Sequence, residues 1–253
     1  MRIVVGLKQD LTPRRAYVHK RRGILLFEDP TYDLNPFDRR ALEAALQIKE
    51  RVGGEVITIT IGGGGEPELV AREALAMGAD RAILVSDIDP LKVGVYSVAR
   101  IFKAVLEKLG GYDLLIFGEK SSDYSGGSFG QYMSGLLKLP LAYRVVKVDI
   151  DDGWVIAEEK TPKGVRTIKL KMPAVIVVSE TAFKPRYPST WGISDAFKKM
   201  EIDTLSLNEL DVGELKAILT GVRYFEPEAL RPRVEKITPD EAVRHILKII
   251  GGG

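Results

Sequence analysis

The chain contains 253 residues, 45% of them apolar, which is enough for one large α/β domain or a domain with an appendage. Its 37 lysines and arginines nearly balance 35 aspartates and glutamates, so charge gives no reason to expect nucleic acid or an anionic membrane as a partner. The absence of cysteine excludes disulfides, thiolate catalysis, iron–sulfur clusters and cysteine-bound zinc. The two histidines, His19 and His245, lie far apart in sequence, which argues against a histidine metal site or a Ser-His-Asp triad. No apolar run reaches about 18 residues and the chain opens directly into a strand rather than a signal peptide, so we expect a soluble, cytoplasmic protein.

The first part of the chain alternates between strand and helix signals. Residues 2–7 are nearly all apolar and predict a buried parallel strand, within which Gly6 indicates close approach of another backbone or a ligand. Lys8 follows at the carboxyl end, where open α/β sheets bind ligands. Residues 14–27 predict a β-hairpin. Asn35-Pro36 predicts the start of a helix that ends near residue 52. Residues 55–61 alternate between apolar and polar side chains as a strand does.

Two glycine-rich loops follow predicted strands. The first, residues 62–65, precedes a helix predicted over 67–77; a strand at 82–85 and a helix at 91–109 come next. The second lies between a strand at 114–117 and a helix at 131–137, and it contains three glycines and several hydroxyl side chains. Because the helix start beyond it has free backbone N–H groups, this loop is either a phosphate cradle or an ordinary strand-to-helix connection. No Walker or GxGxxG spacing decides between the two.

The order of these elements predicts the architecture. Alternating strands and helices over residues 1–140 predict a doubly wound, mostly parallel sheet with right-handed crossovers. The strand ends after Leu7, Ile61, Val85 and Phe117 should then lie on one edge of the sheet. Their convergence favours a nucleotide site at that edge.

The pattern changes after Pro140. Residues 144–150, 155–159 and 165–170 alternate as antiparallel strands, forming a hairpin extension over 142–171, and residues 173–178 form a further buried strand. Residues 183–188 combine two prolines with aromatic and cationic side chains, which fits either a linker or a protein-docking loop, and a short helix is expected over 189–199. We therefore expect an α/β domain with a candidate nucleotide-binding edge at 1–178, a linker or partner-recognition segment at 179–200, and an extended arm at 201–253 that ends in a helix from Thr238 to Ile250.

Taken together, several segments resemble the β subunit of electron-transfer flavoproteins over essentially the whole chain. In chain order they are Val4-Val5-Gly6-Leu7-Lys8-Gln9, Asn35-Pro36-Phe37-Asp38, Ala74-Leu75-Ala76-Met77-Gly78-Ala79-Asp80-Arg81, Phe117-Gly118 to Gly130-Gln131, Lys171-Met172-Pro173-Ala174-Val175 and Pro185-Arg186-Tyr187. The resemblance implies an adenine-nucleotide α-hydrolase-like fold and a heterodimer with an α subunit that holds the electron-transferring FAD. It also implies an adenine nucleotide on this chain, namely AMP in a simple carrier or a second FAD in a bifurcating one.

The resemblance also carries site residues onto this sequence. Gly6, Leu7 and Lys8 would line the nucleotide, Asn35 would contact its adenosine part, and Gly62 would lie beneath it. The phosphates would be wrapped by the loop Asp123, Tyr124, Ser125, Gly126, Gly127, Ser128, Phe129 and Gly130, in which Tyr124, Ser125 and Ser128 depart from the family's usual residues.

Partners follow from the same resemblance. The arm at 201–253 would wrap the α subunit. A dehydrogenase or quinone-oxidoreductase would dock through Ala182, Phe183, Arg186 and Tyr187, where Ala182 stands at the usual position of an apolar anchor. NADH is a further possible ligand if the bound nucleotide is FAD.

An alternative class is a nucleotide-hydrolysing or nucleotide-transferring α/β enzyme, or an ATP-sensing module without flavin. Against an enzyme, the glycine-rich loop lacks GxxxxGK[ST], and Asp149, Asp151 and Asp152 fit a hairpin turn better than a metal site. We therefore expect neither catalytic side chains nor a resident metal, and a protein that holds a cofactor which itself carries the electrons.

Overall fold

The computed structural model describes residues 1–215 and 237–250. The strands are β1 Arg2–Leu7, β2 Gln9–His19, β3 Ile24–Leu34, β4 Glu55–Ile61, β5 Arg81–Val85, β6 Leu114–Gly118, β7 Leu141–Asp151, β8 Trp154–Thr161, β9 Gly164–Lys171, β10 Ala174–Val178 and β11 Ile202–Leu205. The helices are α1 Pro36–Val52, α2 Pro67–Met77, α3 Pro90–Leu109, α4 Phe129–Leu137, α5 Thr190–Lys198 and α6 Pro239–Ile250.

Nine strands form one sheet in the order β11-β5-β4-β1-β6-β10-β7-β8-β9. The neighbours from β11 to β7 pair in parallel, and β8 and β9 extend the sheet by antiparallel pairing. The central strands are continuous apolar runs because both of their faces are covered. The predicted fold class, a doubly wound and mostly parallel sheet with an antiparallel extension, is confirmed.

Helices cover both faces of this sheet. Because side chains alternate along a strand, Ile3 and Val5 lie in the apolar cluster that contains α1 and α2, whereas Val4 lies in the cluster that contains α3. On the α3 face, Phe102, Phe117 and Phe129 pack edge to face, with ring centroids 5.1–5.6 Å apart. Such pairs contribute about 0.5–1.5 kcal/mol each beyond their buried area, so this cluster fixes the start of α4 against β6.

Several elements differ from the sequence expectation. The hairpin β2–β3 is longer than residues 14–27, α4 begins two residues earlier than expected, and α3 contains a non-helical residue, Gly94, with φ 75°. Strand β11 was not expected, since its four residues are half exposed and show little core-like periodicity; it nevertheless pairs in parallel with β5. Leu210 and Val212 beyond it are 7% and 8% exposed.

Of the described residues, 17–26 and 237–250 belong to a second compact unit. Within it, Thr238 begins α6 as expected: its hydroxyl accepts the Glu241 N–H at 3.4 Å and its own N–H donates to the Glu241 carboxylate at 2.8 Å. The apolar side chains Val243, Ile246, Leu247, Ile249 and Ile250 are exposed. The remainder of the predicted arm, residues 216–236 and 251–253, lies outside the described residues. No described helix is long and apolar enough to cross a membrane.

Candidate functional site

The sheet order reverses direction at β1. The chain runs from β1 to β4 and β5 on one side, and then crosses to β6 on the other side of β1. Open α/β sheets bind ligands outside the carboxyl ends of their strands at such a point. The ends of β1 and β6 carry Lys8 and Gly118, so two predicted segments flank the crevice.

The crevice opens where β1 and β6 stop pairing. Their ladder ends at Val5 and Ile116. Beyond it, Gly6 faces the ring of Phe117, and a Cβ added at Gly6 would lie 2.7 Å from two ring carbons. Glycine is therefore required at this position by the packing of β6.

Asp38, in the first turn of α1, joins the two separated strand ends. Its Oδ2 accepts the N–H of Lys8 at 2.9 Å and its Oδ1 accepts the N–H of Gly118 at 3.1 Å. The residue is 7% exposed. Burial raises the pKa of Asp38 to about 7. The nearby carboxylate of Asp10 also raises this pKa, whereas the hydrogen bonds from Asn35 and from the two backbone N–H groups lower it.

Asn35 connects the loop after β1 to the loop after β6. It caps α1, where its side-chain oxygen accepts the N–H of Phe37 at 3.3 Å, and its side-chain NH₂ donates to the carbonyl of Lys120 at 2.9 Å. Its own N–H donates to the carbonyl of Lys8 at 2.9 Å. The side chain is buried and already bonded on both sides, so a ligand would meet it at the loop surface that it supports.

Lys8 lies in a network of carboxylates. Its ammonium donates to Asp10 at 2.7 Å and also to Asp123. The other oxygen of Asp10, which is 1% exposed, accepts both the N–H of Ser122 at 2.6 Å and its hydroxyl at 2.7 Å. These contacts hold the loop after β6 against the end of β1. Two carboxylates already neutralise Lys8, so an anion here would depend chiefly on backbone N–H groups.

The loop between β6 and α4 is exposed at residues 124–126. Ser125 and Gly127 have φ of 49° and 60°, and the N–H of Ser125 donates to the carbonyl of Ser121 at 3.1 Å. A Cβ added at Gly126 would meet no atom within 4 Å. Ser128 stands at the N-cap of α4 but its side chain makes no capping hydrogen bond. The loop therefore has free space at Gly126, and the first N–H groups of α4 lack a side-chain cap.

The last two residues of the predicted loop face the sheet instead. Phe129 belongs to the aromatic cluster on the α3 face. A Cβ added at Gly130 would lie 2.3 Å from Cγ2 of Val177, so glycine is required there for packing against β10. Only their backbone groups remain for a ligand.

The first glycine-rich loop also reaches the edge. Gly62 follows β4, and its N–H donates to the carbonyl of Val85 at 2.9 Å. Gln9 connects this loop to the end of β1, since its side-chain oxygen accepts the N–H of Glu66 at 3.0 Å. Gln9, Asp10 and Asp38 are thus structural parts of the site that sequence reasoning did not select.

The residues predicted to dock a partner differ widely in their exposure to solvent. Ala182 is 8% exposed and Phe183 packs against the core, whereas Tyr187 is 93% exposed. The guanidinium of Arg186 binds the buried carboxylate of Glu43 at 2.8 and 3.0 Å and also pairs with Glu50. Burial raises the pKa of Glu43, but hydrogen bonds from Arg186 and Gln47 bring it below its ordinary value. Arg186 therefore anchors the loop, and Tyr187 is the most exposed of the four residues predicted to dock a partner.

No group of three or more His, Asp or Glu side chains able to hold a metal ion converges within residues 1–215 and 237–250.

The sequence matches known proteins over most of its length. Residues 23–210 match the family model described as the electron transfer flavoprotein domain. The chain is 32% identical to the electron transfer flavoprotein subunit beta of Thermoanaerobacterium thermosaccharolyticum, over 87% of this chain and 84% of that protein. It is 30% identical to the protein of the same name from Bacillus subtilis, over 86% and 85%. It is also 32% identical to the caffeyl-CoA reductase-Etf complex subunit CarD of Acetobacterium woodii, over 79% and 76%.

Proposed function

Because the chain belongs to the electron-transfer flavoprotein β-subunit family, we propose that it pairs with an α subunit and binds an adenine nucleotide at the crevice between β1 and β6. The nucleotide's phosphates would lie against residues 123–128 and the start of α4. A bound flavin would supply the electron transfer of the complex, and the residues of this chain would position the nucleotide.

The observation that carries the proposal is the position of the β6–α4 loop at the point where the sheet order reverses. That loop has an exposed backbone at Gly126, an α4 N-terminus without a side-chain cap, and a rigid base made by Asp38 and Asn35. Backbone N–H groups at a helix start favour phosphate through both hydrogen bonding and the helix dipole. The described residues of the site thus fit a phosphate-bearing group.

The nucleotide is either AMP or FAD, and each predicts a different complex. AMP on this chain gives a simple carrier whose single flavin belongs to the α subunit. FAD on this chain adds a second flavin, which NADH could reduce, as in an electron-bifurcating protein. In both cases we propose that Tyr187, supported by Arg186, contacts the dehydrogenase or quinone-oxidoreductase partner.

Mass spectrometry of the released cofactor, with a count of flavins per purified heterodimer, tests the proposal. One flavin with one AMP identifies the simple carrier, and two flavins identify FAD at the crevice. A colourless protein without a second subunit that hydrolyses ATP would instead identify the nucleotide-processing enzyme.

The variant Gly126→Glu tests the location of the nucleotide. A Cβ at this position meets nothing in the protein, so loss of nucleotide would report a ligand contact rather than misfolding. A carboxylate about 4 Å from a phosphate costs about 4 kcal/mol at an effective dielectric of about 20, which lowers affinity about a thousandfold.

Two controls accompany this variant. Gly126→Ala should lose far less nucleotide, since it adds no charge, and Thr167→Glu adds the same charge on the exposed strand β9, away from the crevice. Full nucleotide content in Gly126→Glu would show that the loop does not bind phosphate.

A further inference from the structure

The turn between β2 and β3 carries three consecutive cations, Lys20, Arg21 and Arg22, and all three are exposed. Among the residues that the structure describes, none of these side chains forms an ion pair with a carboxylate. The sequence has no acidic residue between Asp10 and Glu28. The turn therefore carries a local positive charge that the described part of the chain leaves unneutralised.

The hairpin that bears these cations is only partly covered. Strands β2 and β3 form a two-stranded sheet of their own. Near the turn, Tyr17 and Ile24 are 44% and 40% exposed. A two-stranded hairpin on its own is marginally stable in water. Residues 17–26, the hairpin tip, therefore offer both positive charge and apolar area to a partner.

The hairpin tip belongs to the same compact unit as α6. Apolar side chains at helical spacing are exposed on α6, namely Val243, Ile246, Leu247 and Ile250. Protein interfaces have an apolar centre and a polar, charged rim. This unit contains both parts, an apolar helix stripe and a basic turn.

The signs of the charges in this unit favour a protein partner over a nucleic acid or a bilayer. Its described residues include five lysines and arginines, but also Asp240 and Glu241 in the first turn of α6. A nucleic acid or an anionic bilayer is negative throughout and would be repelled by these two carboxylates. A protein surface can place carboxylates opposite the hairpin tip and cations opposite the start of α6.

The α subunit is the protein partner that the family of this chain supplies. We propose that the hairpin tip docks on an acidic patch of the α subunit, where Lys20, Arg21 and Arg22 pair with aspartates or glutamates. This inference rests on the proposed pairing with an α subunit and adds a charged contact to it. Because exposed ion pairs each contribute little affinity, the contact serves chiefly to orient the two subunits and makes their affinity depend on salt.

Carbodiimide cross-linking of the purified heterodimer tests this contact, because the reagent joins an amine to a carboxylate only where the two groups already touch. Lys20 is the one lysine of the hairpin tip. Arg21→Lys supplies a second amine without changing the charge. We expect mass spectrometry to find peptides that join Lys20 to an aspartate or glutamate of the α subunit, and additional ones in Arg21→Lys. The exposed Lys163, in the turn between β8 and β9, shows how often a lysine outside the proposed contact reacts.

The dissociation constant of the heterodimer, measured on dilution, tests the charges themselves. The tip variant changes Lys20, Arg21 and Arg22 to glutamine. Its control changes the same number of exposed lysines in β9 and the turn before it, namely Lys163, Lys169 and Lys171. Charges act over about 30 Å at about 0.01 M salt and over about 3 Å at about 1 M. We expect the tip variant to dissociate about tenfold more readily than the control at low salt, and equally at high salt.

Three results would overturn the proposal. The first is a hairpin tip that forms no cross-link to the α subunit, with an unchanged dissociation constant in the tip variant. The second is cross-linking of Lys20 only to Asp240 or Glu241 of its own chain. The third is binding of the heterodimer to phosphatidylglycerol vesicles or duplex DNA that the tip variant loses, without a cross-link to the α subunit. Purification of the chain without an α subunit would instead contradict the proposed pairing itself.

Discussion

Replacing Asp38 by asparagine changes one atom of the group that joins the ends of β1 and β6. The two oxygens of the Asp38 carboxyl group accept the N–H groups of Lys8 and Gly118 at 2.9 and 3.1 Å. An amide has a single acceptor, so it turns an NH₂ group toward one of these donors and leaves that donor unpaired. An unpaired buried N–H costs about 1–3 kcal/mol. We therefore expect Asp38→Asn to lower the free energy of unfolding.

The size of this loss should depend on pH. The pKa of Asp38 lies near 7 in the folded protein, against an ordinary value of 3.8. The folded protein holds this proton to higher pH than the unfolded chain, so the stability contributed is fully present below the ordinary pKa and is lost as pH rises through about 7. One pKa unit corresponds to about 1.4 kcal/mol, which gives a change of about 3 kcal/mol between pH 5 and pH 8. Asparagine does not titrate.

Urea unfolding of the two proteins at pH 5 and pH 8, at equal concentrations of complex, measures this difference. Relative to wild type, Asp38→Asn should be about 3 kcal/mol more destabilised at pH 5 than at pH 8. An equal loss at both values would refute the reasoning, because it would mean that Asp38 is ionised throughout.

A matched control tests whether Asp38 also shapes the crevice. Asp113 accepts the N–H of Arg2 at 2.7 Å at the opposite, amino-terminal ends of β1 and β6. Asp113→Asn removes a comparable hydrogen bond away from the nucleotide. We expect Asp38→Asn to reduce nucleotide content and Asp113→Asn to leave it unchanged; equal content in both variants would make Asp38 a purely structural residue.

Two further predictions concern the recognition loop and the arm. Arg186→Ala leaves the Glu43 carboxylate, which is 5% exposed, without its guanidinium partner. This change should destabilise the protein by about 3 kcal/mol, which thermal unfolding measures. The double variant Arg186→Ala, Glu43→Gln should recover part of that loss. A chain ending at residue 215 should fold and lose co-purification with the α subunit, whereas one ending at residue 201 should give little soluble protein because it lacks β11, Leu210 and Val212. Equal yields of the two truncated chains would contradict the expectation that β11, Leu210 and Val212 are needed for folding. A chain ending at residue 215 that still pairs with the α subunit would contradict the expectation that the arm is needed for pairing.

The location of the candidate site can be predicted from sequence because it depends on chain order alone. Right-handed crossovers place the carboxyl ends of parallel strands on one edge, so an apolar run followed by glycines and hydroxyls identifies a loop at that edge. This reasoning found Gly6, Lys8 and the loop after β6, and the sheet order brings them together.

The polar framework of the site does not follow from sequence. Asp38 bonds to groups 30 and 80 residues away, and Asp10 bonds to Ser122 over 112 residues. No local pattern marks an aspartate for such contacts, since Asp38 by itself fits the acidic first turn of any helix. Phe129 is a residue that the sequence assigns to the binding loop because it follows the loop's glycines. In the structure its ring packs with Phe102 and Phe117.

The two outer strands of the nine-stranded sheet explain why it ends where it does. An open strand edge is a template on which another chain can assemble. At one end β9 carries Arg166, Lys169 and Lys171, so an identical strand laid beside it would bring cations against cations. At the other end β11 is only four residues long, and its Asp203 is paired with Arg81. Both ends of this sheet therefore disfavour the edge-to-edge addition of a second copy of the same strand.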